Sequence, residues 1–116
     1  MSTVLNVLTA EVLTLAESSG LNRDLTMEVM GGTPAGRGHM VTTYPEKVLQ
    51  NDISADFMLD LAKKDLDIAL TMAEQEGVPQ TLAGEAATIY AAAQSAGRGT
   101  QDWTAIYAML RERHIA

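Results

Sequence analysis

The sequence predicts an all-α protein, a single helical bundle of five to seven helices. Three observations carry that expectation. Apolar residues recur at three- and four-residue spacing along most of the chain. Glycines and prolines fall where helices of ordinary length would end. No segment alternates apolar and polar residues as a half-buried strand does.

Taken in order, Val4, Leu5, Val7, Leu8, Val12 and Leu15 mark the first helix, and Gly20 stops it. Asn22 caps a short helix carrying Leu25, Val29 and Met30, which Gly31 and Gly32 close. Residues 31–38 (GGTPAGRG) hold too much Gly and Pro for regular structure and form a loop. A short helix passes through Pro45, Val48 and Leu49, with the proline in its first turn. The longest helix runs from about Asp56 to Glu76, stopped by Gly77 and Pro79. An Ala-rich helix spans Thr81 to Ala96 and ends in the loop Gly97-Arg98-Gly99. Asp102 caps the last helix, which buries Trp103, Ile106, Tyr107 and Leu110.

Composition narrows the function classes. The 116 residues suffice for one core. Fifteen acidic residues against eight Lys and Arg leave a net charge of −7, which repels phosphate backbones and argues against nucleic acid as a partner. Cysteine is absent, which removes disulfides, thiolate metal sites and Cys nucleophiles and fits a cytoplasmic protein. No apolar run reaches the length of a membrane span, and no export leader is visible. Aromatic residues are few and methionines plentiful, as in helix-rich packing whose core is partly completed by another domain or subunit.

Helical wheels expose two acids set among apolar neighbours. Along the longest helix a broad apolar arc includes Phe57, Met58, Leu61, Leu66, Ile68 and Met72, wide enough to predict a helix surrounded by protein. Asp65 projects near the middle of that arc, and Lys64 lies at its edge. In the first helix Glu11 falls between Val4, Val7 and Leu15. A buried carboxylate without a partner costs several kcal/mol, so each acid needs a cation or a polar cavity. Arg37, His39 and Lys64 are the candidate partners. Two readings stand: a structural hydrogen bond to the Gly-rich loop, or a site facing a ligand or another domain. Two histidines far apart and no cysteine argue against a metal site, and none is assigned. The residues read alone define a helical domain with one polar cluster and no reaction.

Several of these positions carry a resemblance. Residues 57–69 (FMLDLAKKDLDIA) resemble the F-x-x-x-L-x-x-K-D-L-x-x-A signature of the β-hydroxyacid dehydrogenases, the 3-hydroxyisobutyrate dehydrogenase family. Thr9-Ala10-Glu11 with Leu15 and Gly20-Leu21 resembles another of its segments, and Gly77-Val78-Pro79 fits a later loop. Residues 32–39 (GTPAGRGH), 42–45 (TTYP) and 95–103 (SAGRGTQDW) are most similar to the sulfolactaldehyde reductase branch. The likeness runs in order along essentially the whole chain.

The resemblance implies that residues 1–116 are the helical C-terminal domain of a two-domain subunit, a fold like the C-terminal domain of 6-phosphogluconate dehydrogenase. It implies an N-terminal Rossmann domain, absent from the chain, and hydride transfer between NAD or NADP and a small β-hydroxyacid or its aldehyde. The general-acid lysine of such enzymes would lie upstream of Met1, so no catalytic residue is assigned here, and the chain alone is expected to be inactive and not to bind the cofactor. Lys64 matches a lysine that reaches the cofactor and Ser2 a substrate-contacting position, while Phe57, Asp65 and Glu11 take supporting roles. The complete enzyme is expected to form a homodimer or tetramer. The competing reading is a stand-alone helical module that acts by self-association without catalysis.

Overall fold

The structure is a computed structural model, and it describes residues 1–114. Six α-helices appear in chain order: α1 (Ser2–Ser18), α2 (Arg23–Gly31), α3 (Tyr44–Lys47), α4 (Leu59–Gln75), α5 (Thr81–Ser95) and α6 (Ala105–His114). A π-helical turn, His39–Thr43, leads into α3. Among the described residues no helix is long and apolar enough to cross a membrane.

Helix ends follow from local chemistry. Asn22 accepts a hydrogen bond from the Leu25 amide at 2.9 Å and so starts α2. Gly20, Gly77 and Gly97 all have positive φ (86°, 69° and 83°), which turns the chain back over the last carbonyls of α1, α4 and α5. At α1, for instance, the amides of Gly20 and Leu21 bond to Glu17 and Ala16.

Helix α1 is the spine, in contact with α2, α4, α5, α6 and the π-helical turn. Its inward residues are Asn6, Val7, Thr9, Ala10, Leu13, Thr14 and Ala16, mostly small, so neighbouring helices approach closely. Thr9 and Thr14 can be buried because each hydroxyl donates to the carbonyl one turn earlier, at 2.7 Å. Leu8 and Leu15 of the predicted stripe instead face outward. Around α1 the core is completed by Met27, Tyr44, Leu59, Leu66, Tyr90 and Ile106.

The predicted plain all-α bundle is corrected in its connections. Met58 and Asp102 form an isolated antiparallel bridge, where the sequence suggested no strand pairing. The helix expected to be longest begins at Leu59 and not at Asp56, and at 17 residues it equals α1; residues 56 and 57 form bends and Met58 is extended, paired with Asp102 beside the loop before α6. There the amides of Leu59 and Asp60 donate to the carbonyls of Gln101 and Gly99 (both 2.9 Å), and that of Trp103 to Phe57 (2.8 Å). The first amides of α4 are thus capped by residues 42 and 39 positions further along the chain, which periodicity cannot anticipate. A Cβ at Gly99 would run into the Asp60 carboxylate, so a larger residue at this crossing would have to displace that side chain.

The expectation that α4 is surrounded by protein is also corrected. Leu59, Ala62 and Leu66 are buried, but Leu61, Ile68 and Met72 are exposed (48%, 59% and 65%), so this chain covers one face only.

Candidate functional site

The polar interior gathers at the first turns of α1. Asn6, fully buried, donates from Nδ2 to the Tyr90 hydroxyl (3.1 Å) and to the Trp103 carbonyl (2.9 Å). The Tyr90 hydroxyl donates to the Thr3 carbonyl at 2.7 Å, and the Tyr44 hydroxyl donates to the Asn6 carbonyl at 3.0 Å. Burial pushes both phenols above their ordinary range, so they stay neutral donors.

His39 lies beside this network, 7% exposed. Its Nε2 is 3.1 Å from the Ser2 carbonyl. A carbonyl only accepts, so Nε2 carries the proton and Nδ1 is the bare nitrogen. Nδ1 is buried with no hydrogen-bond partner among the described residues. The ring packs against the Trp103 indole (centroids 5.0 Å apart) and meets Tyr44 edge-on (6.0 Å). Phe57 meets the same indole edge-on, also at 5.0 Å. The result is an aromatic ladder, His39–Trp103–Phe57, leading from the Gly-rich loop to the start of α4.

Burial lowers the His39 pKa below 6.5, and its bond to Ser2 only partly opposes the shift. The unfolded chain therefore takes up the proton first as pH falls. Stability attributable to His39 is complete above pH 6.5 and is lost as pH drops below it. Thermal unfolding of the parent chain at pH 7.5 and 5.5 should show the lower midpoint at pH 5.5, and a His39→Phe variant should lose that part of the difference.

The predicted site residues occupy different places. Ser2 is exposed at the start of α1, and Phe57 is half-buried in the ladder, so the structure brings these two together through His39 and Trp103. Lys64 and Asp65 are exposed on the open face of α4, among Leu61, Ile68 and Met72. Glu11 is exposed on α1. The burial predicted for Asp65 and Glu11 is corrected: both acids face outward, and neither forms an ion pair with Arg37 or Lys64. The wheel ordered the residues correctly by angle but could not tell which sides of each helix have neighbours.

A groove of about 550 Å³ runs between α4 and α5, lined by Asp60, Lys63, Lys64, Asp67, Ile68 and Gln94 among others. Lys63 pairs with Asp67 at 2.5 Å and Asp60 accepts from Gln94 at 2.7 Å. Lys64 is the cation in this groove that forms no ion pair among the described residues. A second open hollow, about 520 Å³ and strongly apolar, lies between α1 and α2, where Leu15, Leu21, Leu25 and Val29 are exposed.

Sequence reasoning did not foresee the burial of several polar side chains. Asn6 and Asp102 are fully buried, and Lys47 is 7% exposed. Burial works against the charge of Lys47, but hydrogen bonds and ion pairs to Asp52 (3.2 Å) and Asp56 (3.3 Å) outweigh it, and its pKa lies above the ordinary lysine value. A further bond to the Ser54 carbonyl at 2.8 Å makes Lys47 the organiser of the 52–56 loop. Only Asp102 left a sequence signal, as a helix cap, and that signal showed half of its role.

Comparisons with known proteins bear on this arrangement. Residues 1–110 match a family model described as NAD-binding of NADP-dependent 3-hydroxyisobutyrate dehydrogenase. The chain is 49% identical over 111 residues to 3-sulfolactaldehyde reductase of Escherichia coli (strain K12), covering 96% of this chain and 37% of that protein. It is 30% identical over 98 residues to 2-(hydroxymethyl)glutarate dehydrogenase of Eubacterium barkeri, covering 84% and 32%. Among solved structures, 3-hydroxyisobutyrate dehydrogenase of Mycobacterium tuberculosis superposes with a TM-score of 0.82 at 29% identity, over 94% of this chain and 39% of that one. The Salmonella typhimurium enzyme of the same description gives 0.82 at 24% identity, over 92% and 38%. The chain thus spans under two fifths of the length of these relatives.

These findings correct the predicted fold class, a single all-α bundle like the C-terminal domain of 6-phosphogluconate dehydrogenase. The matching family model is an NAD-binding one, and the structural neighbours are 3-hydroxyisobutyrate dehydrogenases, so a nucleotide-binding domain is implied alongside the helices.

Proposed function

The chain belongs to the family of NADP-dependent 3-hydroxyisobutyrate dehydrogenases, which are NAD(P)-dependent hydroxyacid dehydrogenases, and on that premise we propose that it forms one wall of such an enzyme's reaction cleft. In this reading residues 1–116 are a C-terminal substrate and oligomerisation domain. The Rossmann domain and the general-acid lysine come from sequence outside these residues. The substrate is a small β-hydroxyacid or its aldehyde, and the 49% identity favours a sulfolactaldehyde-like one.

The observation that carries the reading is the open face of α4. Leu61, Ile68 and Met72 leave an apolar strip facing water, and Lys64 stands within it without a carboxylate partner among the described residues. An apolar strip with a free cation suits closure onto a partner that presents an anion, because closing excludes water and strengthens the charge interaction. A dinucleotide's phosphate or a 2′-phosphate is such an anion, and Lys64 is the residue that would meet it. One ammonium provides one edge of a cofactor site, so the rest of the cradle lies on the opposing domain. Bound there, NAD(P) supplies the hydride. The roles assigned to this chain are contact with substrate by Ser2 and walling of the cleft by Phe57.

The chain alone should show no NAD(P)H-dependent turnover of small acid aldehydes. Joined behind the nucleotide-binding portion of the E. coli reductase it should turn over, and Lys64→Ala should raise the KM for NAD(P)H by about tenfold, the loss of roughly 1.4 kcal/mol of binding. A joined protein that folds but binds neither NADH nor NADPH would sink the proposal.

A second reading rests on the hollow between α1 and α2. Its exposed Leu15, Leu25 and Val29 favour pairing of this face with a second copy, whether in a dehydrogenase or in a self-association module without catalysis. A light-scattering mass equal to one chain at high concentration would count against self-association in either form.

A further inference from the structure

We propose that His39 is a positioning residue that holds the substrate-contacting Ser2 and the cleft wall Phe57 in register, a role that rests on the functional reading above. The imidazole reaches both. It bonds to the Ser2 carbonyl directly at 3.1 Å and touches Phe57 through the Trp103 indole, with each ring pair 5.0 Å apart. The indole is itself fixed. Asn6 donates to the Trp103 carbonyl, and the Trp103 amide donates to the Phe57 carbonyl.

The Gly-rich loop delivers His39 to this point. At Gly36 the backbone lies so close to the end of α2 that a Cβ would sit 2.0 Å from the Met30 carbonyl oxygen. No side chain fits there, and the loop is thereby pinned against α2 just before the π-helical turn begins at His39. The Thr42 hydroxyl closes the turn by donating to the Gly38 carbonyl at 2.7 Å.

Core filling does not account for a histidine at this position. A phenyl ring would pack between Trp103 and Tyr44 without burying a nitrogen that finds no partner. What imidazole adds to a phenyl ring is the single bond to Ser2. That bond ends on the residue whose position matters to substrate, while the same ring packs at a tilt against the indole that meets Phe57. Loop, helix start and cleft wall are therefore joined through one side chain.

Two variants separate this role from packing. His39→Phe keeps the ring and loses the bond, whereas His39→Gln offers an amide donor to the Ser2 carbonyl. In the chain by itself, amide exchange over residues 2–6 should quicken about tenfold in His39→Phe and return towards the parent rate in His39→Gln. In the joined enzyme, His39→Phe should raise the substrate KM about tenfold with kcat within about twofold, Ser2→Ala should do the same, and His39→Gln should recover most of the loss. Unchanged exchange in His39→Phe overturns the clamp. Changed exchange with an unchanged KM, where Ser2→Ala does raise KM, overturns the positioning role and leaves the proposed function standing. If neither Ser2→Ala nor His39→Phe moves KM, the placement of Ser2 at the substrate fails, and His39 loses its positioning role with it.

Discussion

Replacing Asp102 with alanine should lower the thermal midpoint by roughly 15 °C, from a loss of about 3–4 kcal/mol. Asp102 is fully buried, and its carboxylate accepts from four donors: the amides of Asp56 (3.0 Å), Phe57 (3.2 Å) and Thr104 (3.1 Å), and the Thr104 hydroxyl. Alanine would strand all four, and a buried donor left without an acceptor costs about 1–3 kcal/mol. The Asp56 and Phe57 amides are only partly buried, so water recovers some of the loss there. The damage should centre on the approach to α4, because Asp102 ties residues 56 and 57 to the loop before α6. Asp102→Asn retains an oxygen acceptor and should lose about half as much. Circular dichroism melts of both variants check the ranking. A midpoint within 3 °C or so of the parent for Asp102→Ala would show that the carboxylate is not the tie.

Asn6→Asp should be the more damaging change at neutral pH, by about 3–5 kcal/mol, and the loss should shrink with acid. The substitution keeps the shape but removes both donors and places a carboxylate against the Trp103 carbonyl and the Tyr90 hydroxyl oxygen, at a fully buried site. Desolvation and the facing carbonyl both oppose the charge, so the introduced carboxyl has a raised pKa in the folded state. The folded chain then binds the proton more readily than the unfolded one, and stability rises as pH falls towards the ordinary carboxyl range. Protonated, the group regains a donor for Trp103. The variant should melt at a higher temperature at pH 5.5 than at pH 7.5, opposite to the trend His39 imposes on the parent. Equal midpoints at the two pH values would mean that the introduced carboxyl is hydrated, and that the site is more open than the structure shows.

The two variants bear on function because Asn6 lies one turn after Ser2 and Asp102 precedes the indole that braces Phe57. Loss of either should loosen the candidate site before the bundle as a whole.

Local signals in the chain were legible where one stretch of sequence decides its own structure. The glycine stops at Gly20, Gly77 and Gly97 and the Asn22 cap depend on backbone preference within a few residues, and each appears where it was read. The run from Phe57 to Ala69 marks the family because its spacing is particular, and the family match over residues 1–110 agrees with it. The class of the whole was not legible in this way: periodicity suggested a single all-α bundle, whereas the matched NAD-binding model implies a nucleotide-binding domain as well.

What the amino-acid order determined by itself, then, was helix, turn and family. Tertiary structure alone decided which face of each helix is covered. A wheel gives Glu11 and Asp65 an angle, but burial is set by whether another element occupies that side, and none does here. The same distance in sequence hid the groups that are buried. Asn6 meets Trp103 across 97 residues and His39 meets Ser2 across 37. Hydrogen bonds of that reach depend on where the folded backbone brings two segments together, and no short window of sequence contains both partners.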